Sequence, residues 1–276
     1  KGLGLQRAFG HSNPYHRYAF SAEWFAGVTG DADIAIINYS YWAWLPCKCP
    51  KVVVLHDLLS DFMWEGSRRE IEDLRTADLV VVISKEEERK LNQCGIKKTL
   101  WSPPAVDRVE LPLGNSIACI GSANKFNVEG LQWLQEAVKG LNVKVYGDVA
   151  EKVSHPGFEK IGRYSDKLLP YRDCGIILLP TAGGTGVQIK AIESLAYGRA
   201  IVARKGAMRG IPRGDGTWIE VEKPSEMIDA ARTLQSDSVA RRRLSMAAKA
   251  YYAKYLDSNC IKKTLNDAYL RLAGQA

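Results

Sequence analysis

An α/β fold built from two Rossmann-like units is predicted by three features of the sequence. Short strands that are apolar along their whole length alternate with helical segments, the pattern of parallel sheets covered on both faces. The alternation stops at Pro103-Pro104 and then restarts, which divides the chain into two units of the same kind. The length of 276 residues accommodates two small domains, at roughly 100–200 residues per domain.

The elements follow in order. Asp33–Tyr39 (DIAIINY) and Lys51–Asp57 (KVVVLHD) read as buried strands, residues 66–76 as a short helix, and Ala77–Ser84 as a third strand. Ser84 is placed to cap the helix KEEERKLNQCG, and Glu87, three residues on, completes a capping box. Gly95 stands at the favoured helix C-terminal position, and Lys97–Ser102 is a fourth strand. Beyond the prolines, Ser116–Ser122 is a strand, Asn127 opens a helix over Val128–Lys139, and Val143–Asp148 is a strand followed by a loop with Pro156 and Gly157. FEKIGR is a short strand, Asp166–Arg172 a short helix, and Cys174–Pro180 a strand; Gly186–Tyr197 is a helix closed by Gly198. Strands at Ala200–Arg204 and Thr217–Glu222 precede helices at about 225–235, 237–255 and 258–273. No short-period repeat is present.

Composition narrows the class. Apolar residues make up 46% and charged residues 25%, which excludes a disordered chain, a collagen-like repeat and a disulfide-stapled miniprotein. The longest apolar runs, Leu79–Ile83 and Gly175–Pro180, fall far short of the roughly 20 residues of a membrane span. Six cysteines form no framework: only Cys47 and Cys49 are close, a weak metal signal, and Cys119 and Cys174 sit inside strands as buried thiols. A cytoplasmic location is expected. No secretory leader is recognisable. The chain opens on Lys1 in a Gly-rich stretch with no strand before it, which predicts a missing natural N-terminus.

The net charge of +7 is uneven: residues 1–100 carry 13 basic and 13 acidic side chains, residues 223–276 carry 10 and 5. A solvated helical face explains this surplus, and docking on an anionic membrane surface is the alternative. No aromatics interleave with Arg241–Arg243, so no nucleic-acid partner is expected.

The segment LLPTAGGTGVQIKAIESLAYGRAIVA carries the chemistry. A strand ends at Pro180, a loop with Gly183, Gly184 and Gly186 follows, and a helix begins. Free backbone N–H groups and the helix dipole at such a junction favour a phosphate. Lys190 lies one turn into the helix, with Glu193 on the same face three residues later. Phosphate neutralised by Lys190, with Glu193 accepting from ribose hydroxyls, satisfies both groups; a tight turn with a surface Lys–Glu pair is the plain alternative. The loop is neither a Walker loop nor G-x-G-x-x-G.

This segment resembles the donor-site motif of retaining GT-B glycosyltransferases, the family-4-like group (glycosyl transferases group 1). Those enzymes carry a Glu, seven residues, then a second Glu. Glu193 matches the second, and Thr185 stands in place of the first, as in the branch that reads G-T-G-x-x-x-K. The resemblance implies that the backbone amides of Gly186, Val187 and Gln188 hold the diphosphate with Lys190, that Gly184 belongs to the same donor site, and that the Thr185 hydroxyl reaches either the donor sugar or the phosphate. IACIGSANKFNVEGLQWL is similar to the family's first strand, loop and helix, with Gly121 and Ser122 near the phosphates. The cation many members carry in that loop has no clear counterpart, Lys125 being a poor positional match. KIGRYSDKLLPYRDCGIILLP resembles the segment passing the base, with Arg163 and Tyr164 at the positions that meet it. KVVVLHD and ADLVVVISKEEERKL resemble the acceptor domain, and His56 matches a strand-end His near the donor sugar. The end of a parallel strand is where ligands gather in open α/β sheets, although a structural His is the plain reading.

The resemblance implies two Rossmann-like domains facing across a cleft, the N-terminal one reduced. Residues 1–105 form the acceptor side, completed by a C-terminal helix at 256–276, and residues 106–255 the donor side. The expected activity is transfer of a hexosyl-type sugar from a UDP- or GDP-sugar to an acceptor hydroxyl, with retention. His56 and Lys190 are the catalytic candidates, and neither metal nor cofactor is required. The acceptor is a glycan, a lipid-linked molecule or a small molecule. A non-catalytic nucleotide-sugar-binding protein and a GT-B sugar-nucleotide epimerase remain as alternatives. A reduced first sheet would expose an edge, which predicts a homodimer.

Four further features have local readings. Asp31-Ala32-Asp33 spells D-x-D but precedes a strand instead of following one, and reads as a turn. Tyr39, Tyr41, Trp42 and Trp44 could fill a core or stack on an acceptor sugar. His11 and His16 flank aromatics and read as packing residues, and His155 before Pro156 reads as exposed.

Overall fold

The computed structural model describes residues 21–58 and 67–275. His11 and His16 lie outside the described residues. Two compact units emerge, with the boundary in the main chain at Pro103–Pro104.

The first unit contains β1 (Ala35–Asn38), β2 (Lys51–Leu55), β3 (Leu79–Val82) and β4 (Thr99–Trp101), all parallel in the order β1-β2-β3-β4. Helices α1 (Ala22–Val28), α2 (Ser67–Leu74) and α3 (Lys85–Gln93) belong to it. Val53, Leu55, Val80, Val82 and Leu91 form its core, each fully buried. Burying each such side chain contributes about 1.5–3 kcal/mol, which is why these runs hold at the sheet centre. Lys51 is also buried; its ammonium donates to Ala43 O, Leu45 O and Thr76 Oγ1 at 2.7, 3.0 and 2.6 Å, so the charge is satisfied by oxygens of the loops around the strand start. Ser84 caps α3 by accepting from Glu87 N, and Gly95 follows with φ +86°. The Glu87 carboxylate turns elsewhere: Oε1 accepts from Leu58 N at 3.0 Å. It therefore ties α3 to the loop after β2.

The second unit holds β5 (Ile117–Ile120), β6 (Val143–Tyr146), β7 (Phe158–Gly162), β8 (Ile176–Leu179), β9 (Ala200–Arg204) and β10 (Ile219–Val221). Their order is β10-β9-β8-β5-β6-β7, all parallel. The helices are α4 (Lys125–Gln135), α5 (Leu169–Asp173), α6 (Ile189–Ala196), α7 (Pro224–Ser236) and α8 (Ser238–Tyr255). β5 and β8 are entirely buried, as a central parallel strand requires. The chain winds outward from β5 to β7, returns to β8 beside β5, and winds outward the other way. This reversal is the topological switch point at which open α/β sheets bind ligands. Arg199 is fully buried and donates to Tyr197 O, Pro112 O, Tyr171 O and Leu111 O, which fastens the segment after Pro104 to this unit. The last helix, α9 (Ser258–Leu272), runs into the first unit from Asn259 onward.

Three helix starts differ from the sequence reading. α5 begins at Leu169 instead of Asp166. α4 begins at Lys125, because Asn124 and not Asn127 is the N-cap: its side chain accepts from Asn127 N at 2.9 Å. α6 begins at Ile189 instead of Gly186, with Gln188 at the N-cap position but no side-chain capping bond, so the glycine loop is longer and Lys190 lies in the first turn.

Candidate functional site

At the switch point, the carboxyl ends of β5 and β8 stand next to each other, and the loops leaving them carry the polar groups. Asn127, released from capping α4, becomes the centre of a network. Its Oδ1 accepts from Lys190 Nζ at 2.7 Å and from Thr181 Oγ1 at 3.1 Å, while Nδ2 donates to Ser122 O at 3.0 Å. A Cβ on Gly121 would lie 2.9 Å from Asn127 Cγ, so glycine there admits the Asn127 side chain. Lys190 also donates to Ile120 O at 2.9 Å, at the very end of β5. Its ammonium is therefore aimed by two fixed acceptors.

Burial pushes the Lys190 amine down from its ordinary 10.5 to about 8; the Arg209 charge adds to this and the Cys119 thiol opposes it. The folded state thus disfavours the charged amine. The cost to stability is fully present below about pH 8 and is relieved between about pH 8 and 10.5, where the unfolded chain binds more protons. An anion beside the amine would offset the same cost. A cavity of about 10 Å³ is lined by Asn127, Thr181 and Lys190 among others. That holds at most one water, for which about 10–15 Å³ is needed, so it is too small for a phosphate.

The glycine loop is shaped by its neighbours. Gly184 has φ +111°, and a Cβ there would sit 2.6 Å from Arg209 Nη2; a Cβ on Gly183 would sit 2.9 Å from the Phe126 ring. Gln188 closes the loop, its Nε2 donating to Thr181 O and Ala207 O, both at 2.9 Å. Its Oε1 is buried with no hydrogen-bond partner among the described residues, an acceptor open to a donor. Thr185–Val187 group with the first unit, where Thr185 Oγ1 donates to Asp57 Oδ1 at 2.5 Å.

Glu193 lies one turn beyond Lys190. Its Oε2 accepts from the Tyr171 hydroxyl at 2.6 Å, and Tyr171 is almost wholly buried against the Tyr197 ring. Burial first, then the Glu193 charge, raises both the Tyr171 and Tyr164 phenols, so both remain neutral donors near that carboxylate. Tyr164 stands edge-on to Tyr146 at 5.8 Å. Arg163 forms a two-pronged ion pair with Asp148, at 2.8 and 3.1 Å, just after β6.

The second unit thus brings together Gly121, Ser122, Gly184, Gln188, Lys190 and Glu193, with Tyr164 near Glu193. Lys125 instead lies over the Phe126 ring. His56 belongs to the first unit. It follows β2, with Nε2 3.0 Å from Asn38 Oδ1 and its ring 4.6 Å from Tyr39. Tyr39 is the one non-glycine residue at positive φ, +66°, among those described, a strained conformation of the kind found at functional sites. Asp31 and Asp33 lie in the turn before β1. Among the described residues, no group of three or more His, Cys, Asp or Glu could hold a metal ion.

Sequence reasoning missed Asn127 as the centre, Tyr171 as the partner of Glu193, and Arg209. Only Asn127 had a readable signal, an Asn three residues beyond a possible cap. The other two depend on contacts distant in sequence.

Residues 114–237 match the model of the family described as "Glycosyl transferases group 1". No curated protein sequence matches the chain. Among solved structures, Anabaena HepE in complex with UDP superposes with a TM-score of 0.71 at 13% identity, covering 95% of this chain and 83% of its own. Sucrose-phosphate synthase from Thermosynechococcus elongatus gives 0.70 at 16%, covering 92% and 78%. A mutant of S. aureus TarM in complex with Fondaparinux, alpha-GlcNAc-glycerol and UDP gives 0.68 at 14%, covering 90% of this chain and 58% of its own. The chain has the GT-B fold of two Rossmann-like units, and its second unit carries the family match.

Proposed function

We propose, from this fold and from the group 1 glycosyl transferase match over residues 114–237, that the chain transfers a sugar from a UDP- or GDP-sugar to an acceptor hydroxyl. The observation that carries the reading is the Lys190 ammonium, held at the switch point by Ile120 O and Asn127 Oδ1 and one helical turn from Glu193. Lys190 and the backbone amides at the start of α6 would hold the diphosphate. Glu193, aimed by Tyr171, would accept from the ribose hydroxyls, and Tyr164 would pass the base. UDP bound to the structural relatives HepE and TarM supports the choice of ligand.

The reaction follows from charge. The bond from the anomeric carbon to the diphosphate oxygen breaks, and negative charge grows on that oxygen. Lys190 and the amides would take up that growing charge, and so would stabilise the transition state more than the ground state. The acceptor oxygen bonds to the anomeric carbon on the face the diphosphate leaves. Its proton passes to the departing diphosphate, and the configuration is retained. No metal is needed in this scheme, because fixed N–H groups and one ammonium take the leaving-group charge. His56, hydrogen-bonded to Asn38, remains the catalytic candidate of the first unit.

The test is turnover of UDP- and GDP-sugars with hydroxyl acceptors, with the anomeric configuration of the product read by NMR. Transfer with retention supports the proposal. Inversion overturns the mechanism, and nucleotide binding without turnover favours a non-catalytic binding protein. A pH dependence follows as well. Only the charged Lys190 attracts a diphosphate, so affinity should be level from pH 7 to about 8 and then fall by up to about tenfold per unit. Calorimetry across pH 7–9.5 checks this, and Lys190→Met should flatten the profile.

An anionic membrane surface is proposed as the docking partner of α8. Val239 and Met246 are 77% and 66% exposed, and with Arg242 and Arg243 they line one groove on the helix. Their spacing of three and four residues places apolar and cationic groups on one face, the makeup of an interfacial helix. Co-sedimentation should be stronger with vesicles containing phosphatidylserine than with phosphatidylcholine alone. Arg242→Glu with Arg243→Glu should abolish the difference; equal binding to both vesicle types contradicts the docking.

A further inference from the structure

We infer that the first unit carries a stacking platform for a pyranose acceptor, formed by the Tyr39 ring with Asn38 and His56 beside it; this rests on the transferase reading above and names its acceptor class. Tyr39 has φ +66° and ψ +149°, at the margin of a region that essentially only glycine enters. The conformation is imposed from both sides. Tyr39 N donates to Val54 O at 2.8 Å. The next residue, Ser40, is buried, and its hydroxyl is bonded to the Glu70 carboxylate of α2. The Ser40 carbonyl accepts from Ala43 N at 3.0 Å. Glycine would enter this turn without strain. Packing does not call for tyrosine either, because the side chain is 41% exposed. Trp42, from the same aromatic cluster, packs instead against the core of the unit. A strained backbone that holds an aromatic ring out of the core points to a ligand for that ring.

The surroundings of the ring select the ligand. The His56 imidazole lies 4.6 Å from the Tyr39 ring at a tilt of 34°, which backs the ring on one side. Asn38 Oδ1 only accepts, so its 3.0 Å contact makes His56 Nε2 the donor, and in the neutral imidazole Nδ1 is left as an acceptor. The Asn38 carboxamide keeps its two N–H donors. Among the described residues, no other side-chain hydrogen bond involves Asn38 or His56. An aromatic face flanked by donors and an acceptor matches a pyranose. The slightly positive C–H groups of the sugar meet the negative face of the ring, and its hydroxyls both give and take hydrogen bonds. An aliphatic chain would leave both polar groups unanswered. All three residues stand at the carboxyl ends of the parallel strands β1 and β2, where open α/β sheets gather ligands.

The experiment uses the full chain with UDP- and GDP-sugar donors and compares wild type, Tyr39→Gly and Tyr39→Phe. The acceptors are methyl glycosides of glucose, galactose, mannose and N-acetylglucosamine, against glycerol and butanol. Wild type should use at least one glycoside with a lower KM than either simple alcohol. Tyr39→Gly should raise the KM for that glycoside about three- to tenfold, the worth of an aromatic stacking contact, and leave glycerol within about twofold. Its kcat should barely change, as when binding shared by ground and transition states is removed. Tyr39→Phe keeps the ring and should stay within about twofold of wild type. The melting temperature of Tyr39→Gly should stay level or rise, because glycine relieves the turn, so the lost affinity is not unfolding. Saturation-transfer NMR reads binding of the same glycosides without turnover. Signals present in wild type and Tyr39→Phe but lost in Tyr39→Gly support the platform whether or not transfer is seen. If wild type transfers sugar but prefers butanol to every glycoside, or Tyr39→Gly keeps its glycoside KM or loses glycosides and glycerol alike, the platform is overturned while the transferase reading stands. If no acceptor is used and no glycoside gives a signal, both are overturned.

Discussion

Lys190→Ala should lower turnover about a hundred- to a thousandfold, the range seen when one donor to a developing anion is removed. The variant removes the ammonium bonded to both the end of β5 and the Asn127 carboxamide. Because the charge it would stabilise grows during bond cleavage, kcat should fall more than KM rises. The fold should survive. Lys190 is a costly partly buried cation in the free protein, so the melting temperature of the variant should stay level or rise. A variant with full activity, or one whose lost activity is explained by unfolding, would remove Lys190 from the chemistry. Steady-state kinetics beside a thermal melt separates these outcomes.

Glu193→Ala should weaken nucleotide binding by about ten- to a hundredfold, the loss expected for hydrogen bonds to a charged acceptor. Two effects of the substitution must be separated. The Tyr171 hydroxyl, 2.6 Å from Glu193 Oε2 in a buried position, loses its acceptor. A stranded buried hydroxyl costs about 1–3 kcal/mol of stability. Glu193→Gln keeps an acceptor for Tyr171 while removing the charge, so it should restore the melting temperature but not the affinity. Affinity for UDP or GDP against the 2′,3′-dideoxy analogue reads the ribose contact directly. Wild type should prefer the ribonucleotide, and Glu193→Ala should lose that preference. If the preference is absent in wild type, Glu193 does not read the ribose.

Much of the fold was legible because the physics behind it is local. Apolar runs such as Ile176–Leu179 can be buried only at the centre of a covered sheet, and the helices between them impose parallel pairing. The helix starts were less legible because caps compete. Asn124 and Asn127 both precede an apolar helix, and only the fold shows that Asn124 caps while Asn127 reaches Lys190 and Thr181. Gln188 is a poor cap by type, yet it ends the loop because its side chain is bound to Thr181 O and Ala207 O. Glu87 satisfies the pattern of a capping box, but its carboxylate reaches the Leu58 amide, a partner 29 residues away. Within the site, Lys190 and Glu193 stand out because they share one helix. Tyr171 and Arg209 come from other segments, so their places depend on strand order and on the close approach that Gly184 permits.

The central claim is that the switch point of the second unit binds the diphosphate of a nucleotide. Calorimetric titration of the wild-type chain with UDP and GDP, each beside its parent nucleoside, tests it most directly. One diphosphate should bind at least about tenfold more tightly than its nucleoside, since charge-assisted hydrogen bonds are worth about 1.5–3 kcal/mol each. Equal affinity for diphosphate and nucleoside, or no binding of either nucleotide, would contradict the account.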